Sequence, residues 1–423
     1  MNTHRFVSPI LALALAVSIG APVALAQPST AGQGPSLVAA PGDLVPDALL
    51  PARLPSGLDL SHDAVSFSWK LPADQALTTS KPYTASSREY WRAVTAAELA
   101  AGVPLPTVSA GALVRLQPAT AGIGKPIDPN QLVVEKDGAA LTEGAAMQLL
   151  VTPEQLAAAD VPFPEGTTAF RLREELGAGT FTLRAPKATG SEGFVIHVFE
   201  PASKVSAELG ADRIEYLHGD TLVAHLSLTD GVSSLAVDAV QGVVTSPAGR
   251  IFPVTFVPAA GGGRVAELGL DGLEPASQGL WEIQAQLVGE VGGQLVERAV
   301  RTAFAVAVPT ARFTGAVEVG GKSGQGFRTV TAELPVETAA PGRYEVRGTL
   351  YGTDAAGQLL PMAQASSADW LEAGGGVLKL RFHRKVFEGS DLGAPFAVRD
   401  LRLVDQGRMG LVERLADGFV IAP

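Results

Sequence analysis

Histidine is the side chain whose charge changes nearest neutral pH, so a search for chemistry starts there. The chain has six, one of them, His4, in the first few residues. A hydrolase needs a nucleophilic Ser beside a His that a carboxylate orients. The nucleophile elbow Gly-x-Ser-x-Gly does not occur, and the nearest string, Gly190-Ser191-Glu192-Gly193, reads as a loop. His197 stands between Ile196 and Val198 and reads as a hydrogen-bonded strand residue; it is the base to test if this region hydrolyses anything. His218, beside Gly219 and Asp220, reads as a solvent-facing turn residue.

Metal-ligating patterns are equally sparse. Neither His-Glu-x-x-His nor the Asp-x-Asp-x-Asp-Gly calcium loop is present. Asp369, Asp391, Asp400 and Asp405 are scattered acids that would bind calcium only if loops at one end of a fold gathered them; solvated carboxylates are the default. Gly320-Gly321-Lys322-Ser323-Gly324 is similar to a phosphate loop, but Ala316 replaces the required earlier Gly and no helical pattern follows, so it reads as a hairpin turn. His383-Arg384-Lys385 could meet an anionic glycan, although such a run usually faces solvent at a strand end.

Aromatic residues are the remaining candidates, through stacking on a sugar. They make up 6% of the chain, too few to leave many outside the cores, and Trp69, Trp281 and Trp370 sit in apolar strand contexts. Tyr90 and Trp91 are adjacent in a strand, so they point to opposite sides, and Tyr351 lies opposite the Tyr344 face. Tyr90, Trp91 and Tyr351 are therefore the ligand-binding candidates. No catalytic, cofactor-binding or metal-binding residue is assigned, and no cofactor is expected.

The elements that must position these residues are mostly strands. Gly (47) and Pro (30) exceed average usage in the 423 residues, favouring turns and short strands over long helices. A hairpin motif occurs twice, at 279–289 and 342–352, as Gly-x-aromatic-Glu-aliphatic-x-x-x-Leu-x-Gly. Trp281, Ile283, Ala285 and Leu287 share one face at period two, as do Tyr344, Val346, Gly348 and Leu350, so each copy is a half-buried strand entering a hairpin. Only Glu282 and Glu345 of the shared features point outward.

Residues 61–202 read as a β-rich α+β domain with an internal duplication. Thr95 to Glu98 and Thr152 to Gln155 are capping boxes, each opening one short helix between strands. Strands at Val65 to Trp69, Thr180 to Arg184 and Phe194 to Phe199 complete it. Residues 203–308 hold seven candidate strands with turns at the spacing of an immunoglobulin-like β-sandwich, and 309–423 hold a second β-sandwich. The expected fold class is mainly β: a mixed β-rich domain with two short helices, then two immunoglobulin-like sandwiches.

Residues 1–26 carry Arg5, an apolar run and Ala24-Leu25-Ala26, the pattern of a signal peptide cleaved after Ala26; 27–60 read as a linker or extended segment. No later window approaches ~20 consecutive apolar residues, so no membrane span is expected. The net charge of -11 and pI near 5.1 argue against a nucleic-acid partner. With no Cys, neither disulfides nor a lipidated Cys anchor is available.

The run Ser87-Arg88-Glu89-Tyr90-Trp91 with Leu99 to Pro104, and the closing Gly393 to Leu403, resemble an uncharacterised family of exported gammaproteobacterial proteins, a domain of unknown function with immunoglobulin-like domains. The resemblance covers most of the chain and implies tandem sandwiches, without any catalytic residue to carry over. Architecture and composition together lead to the expectation of an exported, non-enzymatic binding or structural protein of the bacterial envelope or exterior, periplasmic or extracellular, with a protein or glycan surface partner. The alternative is a glycan-binding module or an unrecognised hydrolase centred on the first domain.

Overall fold

Six sheets, paired face to face in three domains, make up the structure, a computed structural model describing residues 34–72, 77, 81–120, 127–158, 163–190, 193–260, 262–272, 279–321 and 329–422. The expected signal peptide, Ser191-Glu192 and the Lys322 to Gly324 part of the phosphate-loop-like string lie outside the described residues.

In the first domain, one sheet carries Glu89–Thr95, Gly193–Phe199, Leu113–Pro118, Thr168–Leu172 and Met147–Val151 in that order; the other carries Val103–Thr107, Gly179–Arg184, Val133–Lys136 and Ala139–Leu141. Period-two alternation aims Tyr90, Val114, Leu116, Phe170, Ile196 and Val198 from the first sheet against Leu105, Val134, Phe181 and Leu183 from the second, forming one core. The helices Ala96–Ala101 and Pro153–Ala158 form behind the expected capping boxes, Thr95 with Glu98 and Thr152 with Gln155. A third, Glu143–Ala146, has no signal in the sequence reading.

The central domain packs the sheet containing Ser206–Ala211, Thr221–Thr229 and Arg264–Gly269 against the sheet containing Ala239–Thr245, Trp281–Val291 and Gln294–Ala307. Trp281, Ile283, Ala285 and Leu287 are all buried there, as the motif predicts. In the third domain Tyr344, Val346 and Leu350 do the same work within Gly342–Thr353. A Cβ on Gly348 would meet Val398 at 2.9 Å, which explains the small residue at that inward position. Of the two glutamates expected to point outward, Glu282 pairs with Arg301 at the surface, whereas Glu345 is buried, covered by Arg347, Ser366 and Gln406 that bind its carboxylate.

The strand Val65–Lys70 is the main correction. Expected in the first domain, it instead pairs with Leu359–Leu371 at the edge of the third domain's five-stranded sheet. Its Ser66 and Ser68 face that domain, through Ser367 Oγ and His383 N, while Phe67 (62% exposed) and Trp69 (46% exposed) face outward. The sequence reading put Trp69 in a core; alternation alone cannot say which face of an edge strand is covered. Trp370 is likewise only half-buried, with the His62 ring stacked on it at 3.8 Å.

The preceding segment also belongs to the third domain. Leu44 and Arg414 exchange backbone hydrogen bonds, Leu50 N donates to Pro309 O, and Arg408 donates to Ala52 O. The chain then gives Thr84–Ser87 to the central domain, beside Ser206–Ala211, before entering the first domain at Glu89. The N-terminal stretch is thus an edge strand and strap laid over the other two domains.

A fully buried ion pair joins the first and central domains. Arg298 and Glu200 have fully buried side chains, with Nη1 to Oε1 at 2.8 Å. Arg298 also donates to Val205 O, Glu297 O and Ser203 Oγ, and Glu200 Oε2 accepts from Val108 N, Ser109 N and Ser109 Oγ. Removing one partner leaves an uncompensated buried charge, at a cost of about 3–5 kcal/mol. Arg298→Met should lower the first unfolding transition in a denaturant titration by about that amount, and Arg298→Met with Glu200→Gln should recover part of it; an unchanged transition in the single variant would refute this role.

A second buried acid gives a pH-dependent stability. Glu413 accepts from Phe313 N at 2.5 Å. Burial pushes its carboxyl from 4.5 up to about 7, against that hydrogen bond and the charge of Arg312, with Asp43 adding repulsion. The folded protein holds a proton that the unfolded chain releases, so this contribution is complete below pH 4.5, declines as pH rises, and levels off above about 7 with a loss of about 3 kcal/mol. Glu413→Gln, which keeps an acceptor oxygen, should melt higher than the parent at pH 8 and equal to it near pH 4, read by calorimetry at the two pH values.

Candidate functional site

Strand alternation puts a second set of side chains on the outer face of the first domain's larger sheet. Tyr90 turns inward, 2% exposed, and its hydroxyl donates to Pro106 O, so this expected ligand contact is a core residue. Trp91, the next residue, lies on the outer face, half-buried and packed against the edge of the core cluster. The register sets Trp91 opposite His197, and His197 opposite Arg115, making one row across three strands. Glu89 is two residues from Trp91 on the same face, close enough diagonally to reach His197.

These residues, with Val195, line a cleft of about 380 Å³, and Arg301 closes it from the central domain. Arg301 lies on Gln294–Ala307, the strand that also carries Arg298. A neighbouring cleft of about 590 Å³ has Trp91, Glu98, Pro104 and Gln286 among its walls, so Trp91 borders both. Arg92, beside Trp91, pairs with Glu297 and holds the domains together next to the cleft.

The cleft is electrostatically asymmetric. His197 Nε2 is 2.9 Å from Glu89 Oε2. That hydrogen bond, with the nearby charges of His197, Arg115 and Arg301, holds the Glu89 carboxyl below its ordinary value although burial opposes the shift. With Glu89 ionised, the geometry makes Nε2 the donor. Burial lowers the Arg115 guanidinium, which nonetheless stays a cation at physiological pH, and its carbon lies 5.2 Å from the centre of the Phe163 ring. Arg115 Nε and, one row along, Gln117 Oε1 are buried with no hydrogen-bond partner among the described residues. Arg301 is 3.6 Å from Glu282 and mostly exposed.

A His with a carboxylate could serve as a base, but among the described residues no Ser or Thr lines this cleft to be activated. Glycoside hydrolysis generally uses two carboxylates, and among the described residues lining the cleft Glu89 is the one carboxylate. Two guanidinium groups and a flat aromatic wall are instead suited to holding a ligand.

The other candidates are elsewhere. Tyr351, in the third domain, lies beneath the Arg399 guanidinium at 5.3 Å and is not brought to Trp91. Asp400 is bound by Arg402 and Arg414, and Asp405 by Arg408 and Thr310, so these two acids are structural; no cluster of metal-ligating residues occurs among the described residues. Glu89, Arg115 and Arg301 were missed as site residues. Glu89 sat in the Ser87 to Trp91 run and Arg115 in a repeated Arg-Leu pair, but no local pattern ties Arg301 to them.

Three family models match in chain order, described as the N-terminal, central and C-terminal domains of a domain of unknown function, DUF4785, over residues 57–200, 203–307 and 310–419. A crystal structure of a DUF4785 family protein from Legionella pneumophila is similar with a TM-score of 0.71 at 20% identity, covering 90% of this chain and 99% of that one, a likeness of fold. Trypsin-activated alpha-2-macroglobulin from Escherichia coli gives a TM-score of 0.20 at 15% identity over 71% of this chain and 21% of that one, too low to support any argument. No curated protein sequence matches the chain.

The Glu89–His197 contact has a direct readout. In a carboxyl-carbon NMR titration Glu89 should titrate below the ordinary range, and in His197→Ala it should move up; an unmoved titration would show that the two side chains are not coupled.

Proposed function

The chain belongs to the DUF4785 family, all three of whose domains it carries, and from that premise we propose that it is an exported, non-enzymatic binding protein whose ligand occupies the cleft at Trp91. The cleft itself carries the reading: first-domain strands supply its floor and the central domain supplies Arg301, so a ligand there contacts both domains. Its volume falls in the range of small-molecule sites, about 300–1,000 Å³. Export rests on the leader pattern of residues 1–26, and with it the reading puts the protein in the periplasm or exterior of a bacterium. Among the described residues no helix is long and apolar enough to cross a membrane.

The competing reading is hydrolysis, favoured by the Glu89–His197 pair. The two are separated by titrating the protein with panels of oligosaccharides and short peptides while following the Trp91 indole signal by NMR. Saturable binding without turnover, weakened about tenfold by Trp91→Ala, supports the binding function; a tenfold change corresponds to 1.4 kcal/mol, within reach of one stacked ring. Product formation that disappears in His197→Ala would overturn it. Mass spectrometry of the exported protein should find Gln27 at its N-terminus.

A further inference from the structure

We infer that the ligand held in this cleft is an acidic sugar, a hexuronate residue that stacks on Trp91 and places its carboxylate between Arg115 and Arg301; the inference rests on the cleft being the binding site. Charge is the first observation. The chain is acidic, with a formal net charge of -11, yet the charged groups facing this cleft include two guanidinium groups and one carboxylate. That carboxylate is already occupied on one oxygen by His197, and Glu282 pairs with Arg301 across 3.6 Å, a long and largely exposed contact that a better-placed carboxylate displaces. The cleft thus offers two guanidinium groups to an anion.

The donors are also incompletely used. Arg115 Nε is buried with no partner among the described residues, so it lies beneath the cleft surface, and a ligand meets the terminal nitrogens of this lining guanidinium. A guanidinium edge presents parallel N–H donors matched to the two oxygens of a carboxylate. Arg301 approaches from the other domain, so the same anion is held from both sides.

The remaining groups point to a sugar. Trp91 offers a flat indole wall, on which the C–H face of a pyranose packs. Glu89 Oε1 accepts no hydrogen bond from any described side chain and is an acceptor for a hydroxyl. A ligand must then supply an anion, an apolar face and a hydroxyl donor together. A hexuronate has all three, and about 380 Å³ holds one or two such rings.

The test is calorimetric titration of the full chain with digalacturonate and with galactobiose, its neutral counterpart. Digalacturonate should bind at least tenfold more tightly, and the advantage should shrink as salt rises from 20 to 500 mM. Arg301→Ala, a change at an exposed residue, should reduce its affinity to that of the neutral sugar; Arg115→Met should do the same, with a melting curve to show that it folds. Equal binding of the two sugars, both weakened by Trp91→Ala, would overturn the acidic-sugar inference and leave the binding site standing. Tighter binding of galactose 6-phosphate than of galacturonate would overturn the choice of carboxylate. No response to either disaccharide, when the wider panel does yield a Trp91 ligand, would overturn the inference alone; no ligand from any panel would remove the binding function with it.

Discussion

A guanidinium and a carboxylate, both fully out of water, hold the first two domains in one arrangement. Arg298 reaches out of the central domain and meets Glu200 at the point where the chain leaves the first. Taking two charges out of water is expensive, and such a pair persists only when its remaining donors and acceptors are filled. Here they are filled from both sides, by Ser203 and Val205 on one and by the amides of Val108 and Ser109 on the other. An apolar contact would tolerate sliding. This network has few alternative geometries, and so it sets where Gln294–Ala307 lies against the first domain's outer sheet.

The consequence reaches the cleft directly. Arg301 is three residues beyond Arg298 on the same strand, and strand geometry carries it about 10 Å further along the first-domain surface. Its position opposite Arg115 is a property of the interface. The Arg92–Glu297 pair and the burial of Ala299 in the first domain's core reinforce the same alignment. The cleft is assembled by two domains, each contributing one cation.

The N-terminal segment adds a different constraint. It lies on the third domain from residue 34 to Lys70, then adds a strand to the central domain, and only then builds the first. Asp405, buried with Arg408 and Thr310, fixes the Arg408 side chain that reaches Ala52 O, while Arg343 donates to Ser61 O and Asp63 O. Polar side chains of the last domain thereby hold the backbone of the first described residues. A chain laced in this way covers an edge of the central sheet with its own segment, which limits pairing with other molecules there.

Much of this was legible in the residues themselves. Period-two alternation at Trp281 and Tyr344 identified the buried strand faces, capping boxes located two short helices, and Gly and Pro marked the turns, because each of these signals depends on neighbours a few residues apart. In long strands such as Leu359–Leu371 and Gly410–Ile421, polar positions like Ser367 and Glu413 are buried by partners far away in the chain, which local alternation does not reveal. The adjacency of Tyr90 and Trp91 determined that they face opposite ways; only packing of one sheet on the other decided that Tyr90 is the buried one. Nothing local assigns Val65–Lys70 to the third domain or brings Arg301 to Arg115, 186 positions apart in the sequence. Strand pairing and domain docking satisfy hydrogen bonds and charges between distant segments, and sequence order does not specify which distant segments those are.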